Sequence, residues 1–289
     1  MRIYMMTDQE GVAGVVDWDW ADANVEQAKR LLTLEVNAAA EGFFEAGATS
    51  ILVVDGHGQG GINPELLDER VEFLRGWGKR PPWPLHLDEG FDCLVFVGQH
   101  AKAGTEYGHL THTQGVGYVD LSINGLSIGE FGQLVLCASE LGIRTIFGAG
   151  DLAFTKEAEA LCPGIETVWV KRGLSPGSGD ELDEEAYRTK NRGAIHRSVV
   201  QARRLIRAGA ARALARAREE EFGIVRLTPP FERVARFRPN KERPYHTVSR
   251  ETHPTSVIGA MNLPFERVRA PEAPPRPRAA RRRGDAGGR

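Results

Sequence analysis

The sequence predicts an α/β fold: a mainly parallel central sheet flanked by helices, with a metal site at the carboxyl ends of the strands. Three observations carry this expectation. Short, continuous apolar runs alternate with stretches of helical periodicity, the pattern of parallel strands buried on both faces. The strand-like runs end in Gly, Asp, Gln or His. Residues able to bind metal gather at those ends, where open α/β sheets receive ligands.

The elements follow in order. Arg2–Thr7 is a short apolar run and predicts a buried first strand. Apolar residues recur at Val25, Ala28, Leu31, Leu32, Val36, Ala39 and Phe43, which predicts an amphipathic helix over Asn24–Ala46, with Gly47 as its stop. Ser50–Val54 is β-rich and runs into Asp55, and Cys93–Val97 is a third apolar strand ending at Gly98. Gly117–Ile123 alternates and is followed by Asn124-Gly125, a hairpin signal. A helix is expected over Ile128–Leu141, a strand over Thr145–Phe147, a short helix over Lys156–Leu161 and a strand over Thr167–Lys171. The Arg/Ala-rich segment Ile195–Glu221 predicts one long helix, and Phe231–Phe237 an outer strand. No internal repeat is evident.

Composition narrows the function. The 289 residues carry 37 Lys+Arg against 39 Asp+Glu, a net charge of −2, with 41% hydrophobic and 26% charged residues. This is the balance of a globular protein and argues against nucleic acid as main partner. No apolar run reaches the length of a membrane span, so no membrane partner is expected. The opening MRIYMMTDQEG meets charge too early for a signal peptide. Three cysteines, Cys93, Cys137 and Cys162, make neither a disulfide framework nor a CxxC zinc site, so a cytoplasmic location is expected. From Pro271 on, six Arg face only Glu272 and Asp285, a balance of +4 that leaves −6 on the rest. Residues 271–289 are therefore expected to be a disordered basic tail, with a basic arm for anionic surfaces as the sharper alternative. Residues 1–270 are expected to form one α/β domain.

Without cysteine, a metal must sit on His, Asp and Glu, and only eight His are present. Asp8 and Glu10 follow the first strand two residues apart, so in extended chain they face the same side. Two such carboxylates repel unless a cation or proton joins them. Alone, the pair reads sooner as a solvated acidic turn than as a metal site. The second strand ends in Asp55-Gly56-His57, with Asp55 as a backing acceptor, a ligand or a turn cap. The glycines that follow lack the G-x-G-x-x-G and G-K-[ST] patterns of phosphate cradles. The third strand ends at His100, with His109 and His112 close behind, and Glu130 stands between glycines at a predicted helix start. Asp8, Glu10, His57, His100 and Glu130, with His112 over, exceed the three protein ligands of one catalytic zinc and suit two bridged ions.

Five motifs in this order, T-D-Q-E-G (7–11), D-G-H…N (55–63), G-Q-H-A-K-A (98–103), T-H-T (111–113) and G-E-F-G (129–132), resemble the D-aminopeptidase family of dinuclear zinc peptidases. G-A-G-D (148–151) and V-K-R (170–172) add weaker matches, and the resemblance loosens after about residue 175. It implies an α/β sandwich in a ring-shaped homo-oligomer, a decamer, that cleaves short peptides with an N-terminal D-residue such as D-Ala-D-Ala using two Zn2+ per chain. Carried over, it makes Asp8 the bridging carboxylate, Glu10 and His57 ligands of one zinc, and His100 and Glu130 ligands of the other. His112 becomes the catalytic histidine, as acid/base or nucleophile, and Asn63 a substrate contact. Met6 departs from the serine of the family pattern. A residue is also gained near Glu106-Tyr107, which bears on substrate preference. A hydrolase of another amide or a phosphoester on the same scaffold, and a non-catalytic oligomeric binding protein, are the competing expectations.

Overall fold

The computed structural model describes residues 1–75 and 82–271. The tail expected over 271–289 lies, but for its first residue, outside the described residues. The strands are β1 (Arg2–Thr7), β2 (Ser50–Asp55), β3 (Glu72–Leu74), β4 (Cys93–Gln99), β5 (Tyr118–Ile123), β6 (Leu126–Ser127), β7 (Arg144–Asp151), β8 (Glu166–Gly173), β9 (Ala194–His196), β10 (Phe231–Phe237), β11 (Thr247–His253) and β12 (Val268–Arg269). The α-helices are α1 (Trp18–Ala23), α2 (Val25–Glu45), α3 (Glu130–Glu140), α4 (Leu152–Leu161), α5 (Glu184–Lys190), α6 (Val199–Glu219) and α7 (Val257–Asn262).

The central sheet has the order β3-β2-β1-β4-β7-β8-β9 and is parallel except for β9, so a mainly parallel sheet flanked by helices is what the chain forms. Its strands are apolar on both sides because both sides are covered. Ile3, Met5, Val95 and Val97 face a core built with α2 and α6. Tyr4, Leu94 and Phe96 face a second core formed with α3, α4 and a second sheet. Helix α2 buries Ala28, Leu32, Val36, Ala39 and Phe43, an i, i+3/i+4 stripe. It ends where expected. Gly47, at φ +84°, donates to the Phe44 carbonyl, and Ala48 donates to that of Phe43, the paired bonds of a Schellman stop.

The structure departs from the sequence expectations in three places. Phe231–Phe237 is not an outer strand. It is the middle strand of an antiparallel sheet ordered β12-β11-β10-β5-β6. Its alternation buries Phe231, Arg233, Ala235 and Phe237, and the buried Arg233 is satisfied by Glu251 at 2.9 Å and the Met261 and Leu263 carbonyls. Ile195–Glu221 is not one helix. Ala194–His196 pairs with β8, and the Ser198 side chain then caps α6. Helix α4 starts at Leu152 rather than Lys156 because Asp151 accepts from Phe154 N at 2.7 Å as its N-cap.

Candidate metal centre

Strands β2 and β4 lie on either side of β1, so the chain leaves β1 in one direction and returns on the other side. That is a topological switch point, where α/β sheets open a ligand crevice. The strand ends are tied together there: Asp8 N donates to Val97 O at 3.0 Å, Gly11 N to Gly98 O at 2.7 Å, and Gly56 N to Thr7 O at 3.1 Å. Two glycines make this possible. A Cβ on Gly98 (φ +79°) would lie 1.9 Å from the Asp8 carbonyl, and one on Gly11 would lie 2.1 Å from the Gln99 carbonyl.

The six residues Asp8, Glu10, His57, His100, His112 and Glu130 come together. Asp8 points its two oxygens in different directions: Oδ1 lies 3.2 Å from His57 Nδ1, and Oδ2 lies 3.2 Å from His100 Nε2. Glu10 Oε2 is 3.1 Å from His57 Nδ1. Glu130 Oε1 is 3.7 Å from His100 Nε2 and 3.6 Å from His112 Nε2. His100 and His112 stack with ring centroids 4.0 Å apart. Asp8, Glu10 and His100 form one set of ligand atoms all within 4.8 Å of one another, and His100, His112 and Glu130 a second. A cavity of about 570 Å³ opens onto the cluster, with Met6, Phe96 and Leu134 on its apolar wall.

The ring nitrogens are directed by their surroundings. His100 Nδ1 donates to the Ala101 carbonyl at 2.9 Å, and His112 Nδ1 to that of Leu110 at 2.8 Å, leaving Nε2 of each toward the carboxylates. Burial opposes charge on Glu10, His57 and His100, yet proximity overrides it. Glu10 and Asp8 hold His57 up to about 11, Asp8 and Glu130 raise His100 well above its ordinary value, and His57 holds Glu10 well below the carboxylate range. In short, the cluster is built to be filled by positive charge. His100 Nε2 is buried and faces Asp8 Oδ2 at 3.2 Å without a well-formed hydrogen bond to it, an arrangement that a metal ion between the two would satisfy. Mixed imidazole and carboxylate donors are those that zinc accepts.

Other residues hold these in place. Trp18 Nε1 donates to Glu10 Oε1 at 3.3 Å, and its ring meets His112 edge-on at 5.9 Å. Gln99 Nε2 donates to Asp8 Oδ2 at 3.3 Å, and Gln114 N to Glu130 Oε1 at 2.6 Å. The chain beyond Glu10 is gripped from behind. Ala13 N donates to Glu35 Oε1 at 3.0 Å and Gly14 N to His196 Nδ1 at 3.1 Å. Lys171 Nζ donates to Val15 O at 3.3 Å and His109 Nε2 to Val16 O at 2.9 Å. The sequence reading missed Trp18, Gln99 and this clamp. Gln99 sits inside the quoted G-Q-H-A-K-A motif, and Asp17 before Trp18 is a helix-cap signal, accepting from Trp20 N at 2.8 Å.

Three other residues singled out in the sequence lie apart from the cluster. Asp55 accepts from Gly61 and Ile62 N and pairs with Arg75 at 3.2 Å, so of its three candidate roles it takes the turn cap. Asn63 caps the turn at Pro64–Leu66, accepting from Glu65 N at 3.0 Å while its amide donates to Glu26 at 3.4 Å. His109 faces the clamp, not the carboxylates.

An α/β fold with three carboxylates and three imidazoles converging at its switch point defines the class: a protein whose site could hold divalent metal. Comparison with known proteins narrows the class. The family model for D-aminopeptidase matches residues 1–243. A D-aminopeptidase of Bacillus subtilis (strain 168) is 31% identical over 179 residues, which span 61% of this chain and 65% of that protein's length. Among solved structures, the Zn-dependent D-aminopeptidase DppA from Bacillus subtilis, described as a self-compartmentalizing protease, matches with a TM-score of 0.75 at 22% identity, covering 90% of this chain and 94% of that one. The chain belongs to the D-aminopeptidase family.

Proposed function

We propose that the protein is a zinc-dependent aminopeptidase hydrolysing short peptides with an N-terminal D-amino acid, such as D-Ala-D-Ala, with two Zn2+ per chain. The observation that carries the reading is the divergence of the two Asp8 oxygens toward His57 on one side and His100 on the other. On this reading Asp8 would serve both ions, Glu10 and His57 would hold one, and His100 and Glu130 would hold the other. Three carboxylates supply −3, so one divalent ion leaves the buried cluster negative and two bring it to +1, which favours charge developing on a scissile carbonyl. Bound zinc supplies Lewis acidity and lowers the pKa of water.

The chain's own groups do the rest. His112 carries its proton on Nδ1, held by Leu110 O, and presents Nε2 to the cavity. From there it takes a proton from the attacking water and delivers one to the leaving amine nitrogen. Trp18 fixes Glu10 and the His112 ring. Met6, Phe96 and Leu134 give one wall of the cavity an apolar surface against which a small side chain can pack.

The matched solved structure is named as self-compartmentalizing, which supports an oligomeric assembly, and a ring-shaped homo-oligomer, a decamer, is part of this reading. The mass of the native assembly tests it: ten copies of 31.8 kDa. Among the described residues no helix is long and apolar enough to cross a membrane. The three cysteines are free and buried, and cytoplasmic localisation is part of this reading.

The decisive assay pairs metal analysis of the purified full chain with hydrolysis of D-Ala-D-Ala and L-Ala-L-Ala. Two zincs and cleavage of the D-isomer are expected. Two zincs with neither peptide cleaved would move the assignment to a hydrolase of another amide or a phosphoester.

A further inference from the structure

His112 also lines another cavity, of about 550 Å³. His112 lines both it and the cavity over the metal cluster, and Trp18, which holds Glu10, lines it as well. Its charge is lopsided: Arg188, Arg238, Arg243 and Arg267 stand against Glu184 and Glu242. Two of these arginines are committed. Arg238 is buried and donates to the Gly179 and Leu182 carbonyls, and Arg188 lies 3.6 Å from Asp19 and over the Trp18 ring. Arg243 and Arg267 are different. Neither has an acidic partner within 4 Å among the described residues, and both are exposed.

The Arg267 guanidinium and the Arg243 backbone are nevertheless held. Arg267 lies 3.5 Å over the Phe237 ring, at cation–π distance. Arg243 closes a turn, with Asn240 Oδ1 accepting from its N at 2.9 Å and Asn240 N donating to its carbonyl at 2.8 Å. Arg75, on the metal-side cavity, offers a contrast: its guanidinium is taken up by Asp55 and by the His57 and Gly58 carbonyls. Free cationic forks beside a catalytic histidine fit a planar anion.

Resting on the aminopeptidase reading above, we propose that this cavity is the subsite for the free C-terminal carboxylate of the peptide, with Arg243 and Arg267 as its specificity-determining residues. An extended dipeptide reaches about 7 Å. With the amino end at the cluster and the scissile carbonyl beside His112, the carboxylate passes His112 toward these arginines. The chain thereby selects dipeptides and other short peptides with a free carboxyl end over amidated ones. Arg243 is the last residue that the family model matches, and Arg267 lies beyond it.

The test uses the zinc-loaded full chain and the double variant Arg243→Gln, Arg267→Gln, with retained zinc content as the check that the site is intact. The kcat/KM ratio of D-Ala-D-Ala to D-Ala-D-alaninamide is expected to be high in the unmodified chain and to fall about 10- to 100-fold in the variant, chiefly through KM. A ratio near one in the unmodified chain, or one the variant leaves unmoved, overturns the proposal. Direct binding of N-acetyl-D-alanine, which has the carboxylate but no free amine, is measured alongside by calorimetry. Binding that the variant loses upholds the subsite even if neither peptide is cleaved, in which case only the aminopeptidase reading falls. Equal binding by both proteins overturns the subsite.

Discussion

The loop after β1 has a histidine cluster on each side, and the two clusters behave in opposite ways. In front, His57 and His100 face three carboxylates and are driven toward the charged form, His57 to about 11. Behind, burial first, with Lys171 next, drives His109 down to about 2 and His196 down to about 4. The residue type is the same and the role is set by neighbours. The front gathers negative charge that calls for metal. The back uses neutral imidazoles, Glu35 and Lys171 as hydrogen-bonding hands on the Ala13–Val16 backbone. A site with strong internal repulsion needs such a brace, because without it the carboxylates would drift apart when no cation is bound.

The largest blow to the front is Asp8→Ala. It removes the carboxylate that faces both histidines, and both zincs and all measurable peptidase activity are expected to go together, read by metal analysis and assay of one preparation. His112→Ala should separate the two: metals retained, kcat down about 10²- to 10⁴-fold. Full activity in that variant refutes its role in proton transfer. On the back, Lys171→Met removes the donor to Val15 O and leaves a buried carbonyl unpaired. A loss of about 1–3 kcal/mol in urea unfolding is expected, with weaker zinc retention as the sign that the brace serves the front.

The smallest effect is on pH. Folded His196 and His109 bind protons only near 4 and 2, against 6.5 unfolded. Their contribution is therefore present above pH 6.5 and lost as pH falls through those windows. Glu35, raised by burial to about 7, works the other way, its contribution present below about 4.5 and lost by pH 7. Melting temperatures of the zinc-free protein should show a shallower acid decline in His196→Asn than in the unmodified chain between pH 6.5 and 4.

The front was largely legible in the sequence, because Asp8, Glu10, His57 and His100 follow directly on apolar strands and strand ends can be read locally. What separates His109 from His112 was not. Leu110 adopts φ +53° between them and turns the chain, so residues three apart face opposite clusters. The brace was also hidden, since Glu35, Lys171 and His196 come from α2, β8 and β9, brought together by pairings far apart in sequence. The antiparallel sheet escaped for a related reason. β11 reads TVSRETH, too polar to announce itself, and becomes a strand only by pairing with β10. Trp18 reaches Glu10 through the cap of a six-residue helix that no periodicity marks.

If the front cluster holds two cations, zinc stoichiometry of the intact chain shows it most directly. Titration of the metal-free protein with Zn2+, followed by calorimetry and by metal analysis after gel filtration, should saturate at two per chain, with the second site lost in Glu130→Ala and His100→Ala alike. Saturation at one ion, or two that survive removal of His100, contradicts it.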